Sequence, residues 1–181
     1  TDSDEYIDLV VNEYRGSVFI EKRPEYYASD TTKVYEEVVR LAETNIIDSD
    51  WFMLCLPTAP LRSHSTVGSL LHAWEVDHQA LFSASSYSFP IQFAFDIDAD
   101  GAWKPIADDS PMLTGNTRSQ DIPTRYRPNG AIYLQRKDQL RKNTTFYIDA
   151  KPFLISEIES TDVDTEIDFK FAEILMAERY K

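Results

Sequence analysis

Two aspartates near the C-terminal end of the sequence, Asp162 and Asp164, are separated by a single residue. In an extended segment, residues i and i+2 point to the same side, so both carboxylates would lie on one face. Such a pair of hard oxygen ligands suits Mg²⁺, which keeps several water ligands and bridges to substrate phosphates. Thr165 and Asp168 form a helix start signal directly afterwards, so helix capping is the alternative role. Spacing alone does not separate the two interpretations.

A second candidate group consists of donor-rich side chains that fall within twelve residues of an otherwise acidic chain: Arg118, Arg125, Arg127 and Asn129. Guanidinium groups bind carboxylates and phosphates through paired hydrogen bonds, so the group fits an anionic sugar. Tyr126 and Tyr133 offer flat faces for stacking against a sugar. The alternative is a set of solvated loop residues.

The segment 57–62, PTAPLR, follows the continuous apolar run 51–56, WFMLCL, which is typical of a strand covered on both faces. In open α/β sheets, the loops that follow the carboxyl ends of strands line the ligand crevice. Arg62 offers a forked donor there for a phosphate or a carboxylate. A rigid turn with a solvent-facing arginine is the alternative.

Two other motifs carry no chemistry. Residues 96–101, DIDADG, match the first half of a calcium-binding loop, but the twelfth position, where a bidentate carboxylate is needed, is Ala107. This segment therefore predicts a hairpin turn. The three histidines, His64, His72 and His78, lack the i, i+4 spacing of a metal-binding helix and are interpreted as surface residues.

The pattern of apolar residues predicts an alternation of helices and strands. Helices are expected at 4–14, 31–45 (capped by Asp30 or Thr31), 65–77 and 165–179, the last with Ile167, Phe171, Ala172, Leu175 and Met176 facing inward. Strands are expected at 17–21, 51–56, 81–87, 130–135, 145–148 and 153–156, with a hairpin around 98–101. This order predicts an α/β domain with a largely parallel sheet and helices on both faces.

Composition narrows the class of protein. The 181 residues fit one domain, and a net charge of −13 argues against nucleic-acid binding, which depends on Lys and Arg. No apolar run reaches the roughly 18 residues of a membrane span, and no signal-peptide pattern opens the sequence. The single cysteine, Cys55, lies in the run 51–56 and is predicted to be a buried core thiol. One unpaired thiol suits a reducing cytoplasm.

Five segments occur in the order found in acylneuraminate cytidylyltransferases. The chain resembles this family over nearly its whole length, and the matching segments are 1–4 (TDSD), 23–31 (RPEYYASDT), 57–62 (PTAPLR, against PTSPLR), 127–133 (RPNGAIY) and 160–168 (STDVDTEID, against SIDIDTELD). The last two segments are the most specific in combination. They favour the metal interpretation of Asp162 and Asp164.

The resemblance implies a three-layer, Rossmann-like nucleotide-diphospho-sugar transferase fold, mostly parallel, with an inserted dimerisation arm at about 88–128. It implies transfer of CMP from CTP to the anomeric hydroxyl of a nine-carbon 2-keto acid sugar (sialic, legionaminic or pseudaminic acid), with release of pyrophosphate, by a cytoplasmic homodimer. The residues that it assigns are Asp162 and Asp164 to catalysis and Mg²⁺, Arg23, Ser29 and Thr31 to the nucleotide, and Thr58, Arg62, Arg118, Gln120, Asn129 and Tyr133 to the sugar.

The sequence also departs from the family pattern. The family's RGGSK-type phosphate loop and first strand are absent from the 181 residues and are expected upstream of Thr1, so these residues alone are expected to be inactive or impaired. Leu56 stands where sialic-acid enzymes usually have a glutamine. Segments 82–84, 89–92 and 116–121 resemble the pseudaminate branch, whereas 129–133 resembles the sialate and legionaminate branches, which leaves the sugar open.

Two alternatives to this activity have different sequence support. An enzyme acting on an eight-carbon sugar is disfavoured by the RPNGAIY segment at 127–133. A catalytically inactive homologue, serving as a binding or scaffold subunit, is favoured only by the missing loop.

Overall fold

The computed structural model describes residues 1–14 and 16–179 and shows an α/β fold. Its helices are α1 (Asp4–Tyr14), α2 (Val34–Glu43), α3 (His64–Asp77), α4 (Pro111–Thr114) and α5 (Glu166–Arg179). Its strands are β1 (Trp51–Cys55), β2 (Ala80–Ser86), β3 (Phe95–Ile97), β4 (Trp103–Pro105), β5 (Tyr126–Arg136) and β6 (Ala150–Leu154). Short 3₁₀ turns occupy Glu25–Ala28, Ile91–Phe93, Ser119–Asp121 and Lys137–Gln139.

The chain divides into two compact units. The first unit comprises Thr1–Phe52 and Arg136–Ile148, and the second comprises Met53–Gln135 and Asp149–Lys181. The single-domain organisation with an inserted arm at 88–128 stays a prediction. Among residues 1–14 and 16–179, no helix combines the length and the apolar character that crossing a membrane requires.

Four strands form the main sheet in the order β1-β5-β2-β6. Strand β2 runs parallel to β6 and antiparallel to β5, so the sheet is mixed where the sequence predicted a largely parallel one. The pairing of β2 with β5 shifts register at one point, because Phe82 faces Tyr133 whereas Ala84 faces Pro128. Strands β3 and β4 form a separate hairpin, as predicted for residues 98–101.

Each unit has its own apolar packing. In the second unit, the buried residues come from α3, from the strands β2 and β5 and from the turn after β1: Ala59, Leu61, Leu70, Leu81, Ala84, Ala131, Ile132 and Leu134. In the first unit, Val38 and Ala42 of α2 are buried, as are Leu140 and Phe146. The Tyr35 ring lies 4.8 Å from that of Phe146, and its hydroxyl donates hydrogen bonds to the carbonyls of Leu140 and Asn143.

Most predicted elements are confirmed, including the four long helices and the hairpin, and the three histidines are exposed. Two predicted strands are wrong: residues 17–21 are irregular and 145–148 form turns. Helix α2 begins after Lys33, whose side chain makes no capping hydrogen bond, so capping by Asp30 or Thr31 is also wrong. The Ser29 hydroxyl bonds instead to those of Thr31 and Thr32.

The predicted burial of Cys55 is wrong, since this thiol is exposed. Its strand, β1, lies at the edge of the sheet with β5 as its one strand neighbour, so fewer atoms cover it than cover the central strands. In α5, Ala172 is buried as predicted, whereas Ile167 and Phe171 are exposed. Helical periodicity identifies an apolar stripe but not how far a neighbouring layer extends over it.

A pair of substitutions in α3 tests how the helix packs. Leu70 is fully buried and its neighbour Leu71 is 38% exposed. Leu70→Ala leaves a cavity, so we expect the free energy of unfolding to fall by about 2–5 kcal/mol. Leu71→Ala is the matched control and is expected to lose less than half as much. Urea unfolding measures both, and equal losses would contradict the observed orientation of α3.

Candidate active site

The segment 162–164 is docked against the turn that follows β1. The backbone N–H of Val163 donates a 2.8 Å hydrogen bond to the carbonyl of Thr58. Val163 is half-buried while Asp162 and Asp164 are exposed, which is the alternation expected of an extended segment. Within the described chain, neither carboxylate forms a hydrogen bond or an ion pair. Both are therefore free to bind a ligand.

Capping of α5 is carried out by other residues. The Asp168 carboxylate accepts hydrogen bonds from the Thr165 hydroxyl (2.7 Å), the Thr165 N–H (2.8 Å) and the Asp164 N–H (3.3 Å). The Thr165 hydroxyl in turn accepts from the Asp168 N–H. This reciprocal pair is a capping box, and the hydrogen bonds from Thr165 hold the pKa of Asp168 below its usual range. The capping role left open for Asp162 and Asp164 thus falls to Thr165 and Asp168.

The free carboxylate pair fits Mg²⁺ better than a metal held by protein ligands alone. Over residues 1–14 and 16–179, no group of three or more His, Cys, Asp and Glu side chains is arranged to hold a metal ion. Magnesium commonly takes one or two carboxylates and completes its shell with water and substrate phosphates. Asp162 and Asp164 have the donor chemistry for that arrangement, and their assignment to Mg²⁺ stays a prediction.

Arg62 shapes the turn on which this segment rests. One of its terminal nitrogens, Nη1, donates to the carbonyls of Leu56 (2.5 Å) and Ala59 (2.7 Å). The turn is further fixed by the burial of Ala59 and Leu61, each 1% exposed. These contacts favour the rigid-turn interpretation of Arg62, whereas Thr58 is exposed and accessible to a ligand. Sugar binding by either residue remains a prediction.

A carboxylate that the sequence did not single out, Glu159, ties the neighbouring elements together. It accepts hydrogen bonds from the N–H and hydroxyl of Ser63, the N-cap of α3, and from the hydroxyl of Thr66 in the first turn of that helix. It also pairs with Arg179 at the end of α5, and Arg179 donates to the carbonyl of Leu61. Glu159 therefore holds the chain before Asp162 against both helices.

Strand β5 carries two of the predicted sugar residues, and both are nearly fully buried. Asn129 is 4% exposed, and its side-chain oxygen accepts hydrogen bonds from the Ser83 hydroxyl (2.6 Å) and the Ala131 N–H (3.2 Å). Its amide nitrogen has no hydrogen-bond partner in the described residues. Tyr133 is 7% exposed and is the register partner of Phe82 in the pairing of β5 with β2. A buried amide donor without an acceptor is uncommon and is a natural point for a ligand oxygen.

The other residues of this unit that the sequence singled out for the sugar are exposed. Arg118 lies 3.7 Å from Asp121, and Gln120 lines a surface groove of about 260 Å³ with Pro90 and Arg125. The side chains of Arg125 and Arg127 form no ion pair within residues 1–14 and 16–179. Over that range they are cationic groups without a paired carboxylate, and they lie at the start of β5.

The predicted nucleotide residues belong to the first unit. The Ser29 and Thr31 hydroxyls lie 3.2 Å apart and both residues are exposed. Arg23 is partly exposed, and its Nε lies 3.7 Å from a carboxylate oxygen of Glu37. Glu37 also accepts two hydrogen bonds from Arg40. The structure thus brings Ser29 and Thr31 together and places Arg23 beside an acidic partner.

Known proteins similar to this chain point to one class. No model of a protein family matches the sequence. The CMP-N,N'-diacetyllegionaminic acid synthase of Legionella pneumophila is 31% identical over 182 residues, covering 97% of this chain and 75% of that protein. The post-translational flagellin modification protein B of Campylobacter coli is 29% identical over 191 residues, covering 99% of this chain and 76% of that protein.

A solved structure agrees at the level of the fold. The CMP:2-keto-3-deoxy-manno-octonic acid synthetase complexed with CTP superposes with a TM-score of 0.63, at 14% identity, over 98% of this chain and 79% of that one. The fold is therefore that of a sugar nucleotidyltransferase. With the similarity to the Legionella protein, it shows that the chain belongs to the CMP-nonulosonic acid cytidylyltransferase family.

The Glu159 contacts lead to a pH-dependent prediction. Burial by itself raises the pKa of Glu159, but hydrogen bonds from Ser63 and Thr66 outweigh it and hold the pKa below its usual range. The stabilisation is thus complete above the unfolded-state pKa of about 4.3 and is lost as pH falls through the lower folded-state pKa. At neutral pH, we expect Glu159→Gln to lower the free energy of unfolding by about 1–3 kcal/mol.

Urea unfolding across a series of pH values measures this effect. The loss caused by Glu159→Gln should shrink as the solution is acidified below the folded-state pKa. Glu173→Gln removes an exposed carboxylate of α5 that has no partner among residues 1–14 and 16–179, and it should change stability by less than about 0.5 kcal/mol. A loss from Glu159→Gln that is independent of pH would contradict the role of its charge.

Proposed function

We propose that this chain, with Mg²⁺, transfers CMP from CTP to the anomeric hydroxyl of a nine-carbon 2-keto acid sugar, a sialic, legionaminic or pseudaminic acid. The hydroxyl oxygen bonds to the α-phosphorus and loses its proton, while the bond from that phosphorus to the bridging oxygen breaks and pyrophosphate leaves. Membership of the family supports the activity in general. The particular sugar and the use of CTP are part of the proposal.

The observation that carries the proposal is the free carboxylate pair of Asp162 and Asp164. Both carboxylates are exposed and have no ion-pair partner among the described residues of this acidic protein, where mutual repulsion is unfavourable without a bound cation. The hydrogen bond from Val163 to Thr58 fixes the backbone between the two aspartates. Thr165 and Asp168 cap α5, so the side chains of Asp162 and Asp164 are not needed for capping. Such a pair is prepared for a divalent ion at little conformational cost.

The two aspartates would hold Mg²⁺, which when bound neutralises and orients the phosphates of the nucleotide. In reactions of this type, positioning and electrostatics account for most of the rate enhancement. Arg23, Ser29 and Thr31 would contact the nucleotide. On the sugar side, the resemblance implies contacts with the sugar from Thr58, Arg62, Arg118, Gln120, Asn129 and Tyr133.

The sugar side is supported by charge. A nine-carbon 2-keto acid carries a carboxylate, and this chain has a net charge of −13. Arg125 and Arg127 are exposed cations without an ion-pair partner in the described part of the chain, and they precede the buried Asn129 by four and two residues in the sequence. Local positive charge of this kind lets an acidic protein bind an acidic ligand.

The homodimer belongs to the proposal as well. Segment 88–128, the predicted arm, exposes the large apolar side chains Phe89, Phe95, Ile97, Trp103 and Ile106. Clustered apolar exposure is typical of interaction sites. A cytoplasmic location is proposed because the exposed, unpaired Cys55 thiol suits a reducing compartment.

Pyrophosphate release tests the proposal. The protein from its complete reading frame is assayed with CTP, Mg²⁺ and a panel of sialic, legionaminic and pseudaminic acids. We expect release that requires CTP and one of these sugars. Because Asp164→Asn removes a charged ligand from the metal, it should lower kcat/KM by on the order of 100-fold or more and raise the Mg²⁺ concentration for half-maximal rate.

Glu173→Gln serves as the control, since it also removes one carboxylate from the second unit but from an exposed position on α5. It should leave the Mg²⁺ dependence unchanged. Folded protein that releases no pyrophosphate with any sugar would refute the proposed function. Equal Mg²⁺ dependence of wild type and Asp164→Asn would refute the metal assignment alone.

A further inference from the structure

The irregularity between β2 and β5 places Asn129 where it is. Between the paired positions Phe82–Tyr133 and Ala84–Pro128, the single residue Ser83 stands opposite residues 129–132 of β5. This is a large bulge, and bulges next to functional sites redirect side chains. Gly130 lies within it at φ +74°, a conformation that a glycine adopts without strain.

The Ser83 hydroxyl fills the space that the bulge opens. It accepts a 2.8 Å hydrogen bond from the Ile132 N–H and lies 2.6 Å from the side-chain oxygen of Asn129. A backbone N–H can only donate, so the hydroxyl oxygen is the acceptor from Ile132 and its own proton is available for Asn129. Ser83 therefore acts as donor and acceptor at once, with a defined direction in each bond.

These bonds determine which way the Asn129 amide faces. The N–H of Ala131 donates to the same Asn129 atom at 3.2 Å, and since this donor also cannot accept, that atom must be the oxygen. The nitrogen is then the free end of the amide. It is buried, with no acceptor in the described residues. A buried donor without a partner is unfavourable, and an incoming acceptor relieves it.

We propose that Ser83 is a positioning residue for the sugar: its hydroxyl locks the Asn129 amide so that the NH₂ group, and not the carbonyl, meets an acceptor oxygen of the sugar. This inference rests on the proposed function. Asn129 is 4% exposed, so an acceptor reaches the nitrogen only as the atoms over it move aside. The hydrogen bond to the sugar then offsets the free-energy cost of that movement. A sugar without an acceptor at this position would lack that compensation.

Strand β2 offers a matched control for Ser83. Ser85 lies two residues away, is likewise 1% exposed, and its hydroxyl has no hydrogen-bond partner in the described chain. Ser83→Ala and Ser85→Ala thus each remove one hydroxyl group, from equally buried positions on one strand. Only Ser83→Ala removes the group that orients Asn129.

The experiment uses the wild type and both variants of the full-length protein. Steady-state kinetics give kcat and the KM for the sugar and for CTP, and calorimetry gives the Kd for the sugar. We expect Ser83→Ala to raise the KM and the Kd for the sugar by on the order of 10-fold, because the amide is no longer held in its donating orientation. The KM for CTP should stay within about 2-fold, since a nucleotide contact is not involved. Ser85→Ala should match the wild type in all three constants. A loss confined to kcat, as from a smaller folded fraction, would indicate a structural role only and would overturn the inference.

The two proposals fail in different ways. If the wild type turns over a sugar while Ser83→Ala and Ser85→Ala behave alike, the role of Ser83 is refuted and the proposed function stands. If the wild type neither binds nor turns over any sugar, the proposed function is refuted and the inference with it.

Should Ser83→Ala fail to fold, Asn129→Asp replaces the donor by an acceptor while keeping an oxygen for Ser83. An unchanged sugar KM in Asn129→Asp would then overturn the inference.

Discussion

The hydrogen bond from the Val163 N–H to the Thr58 carbonyl joins segments 57–62 and 160–168 of the second unit, which lie about a hundred residues apart in sequence. Three neighbouring groups of contacts stabilise the segments on either side of this bond. Arg62 fixes the turn from within, and Glu159 ties the approaching segment to the first turn of α3. The capping box at Thr165 then starts α5 immediately afterwards. The exposed aspartates are consequently held by backbone contacts, and their side chains are left for chemistry.

The two units contain arginine side chains that differ in whether they are paired with carboxylates. In the first unit, Arg40 lies between Glu21 and Glu37 and above the ring of Tyr27, so its charge is compensated locally. At the start of β5, Arg125 and Arg127 have no such compensation within the described residues. Exposed cations of this kind in an acidic protein provide a local field suited to an acidic ligand.

Local signals predicted much of this molecule. Apolar periodicity located α1, α3 and α5, and Asp98 and Gly101 marked the β3–β4 hairpin, because these features depend on neighbours in sequence. Long-range contacts escaped prediction: Glu159 meets Ser63 across the chain, and the bulge opposite Ser83 arises only when β5 pairs with β2. The exposure of Cys55 likewise depends on strand order, which apolar content does not encode.

Glu159 also links motions that would otherwise be independent. Helix ends usually fray separately, and the amide protons there exchange with solvent through small local openings. Here one carboxylate holds the first turn of α3 and, through Arg179, the last turn of α5. If the first turn of α3 or the last turn of α5 loses its contact with Glu159, we expect the other helix end and the segment before Asp162 to become less restrained. We therefore expect the two helix ends to open together, because both depend on the same carboxylate.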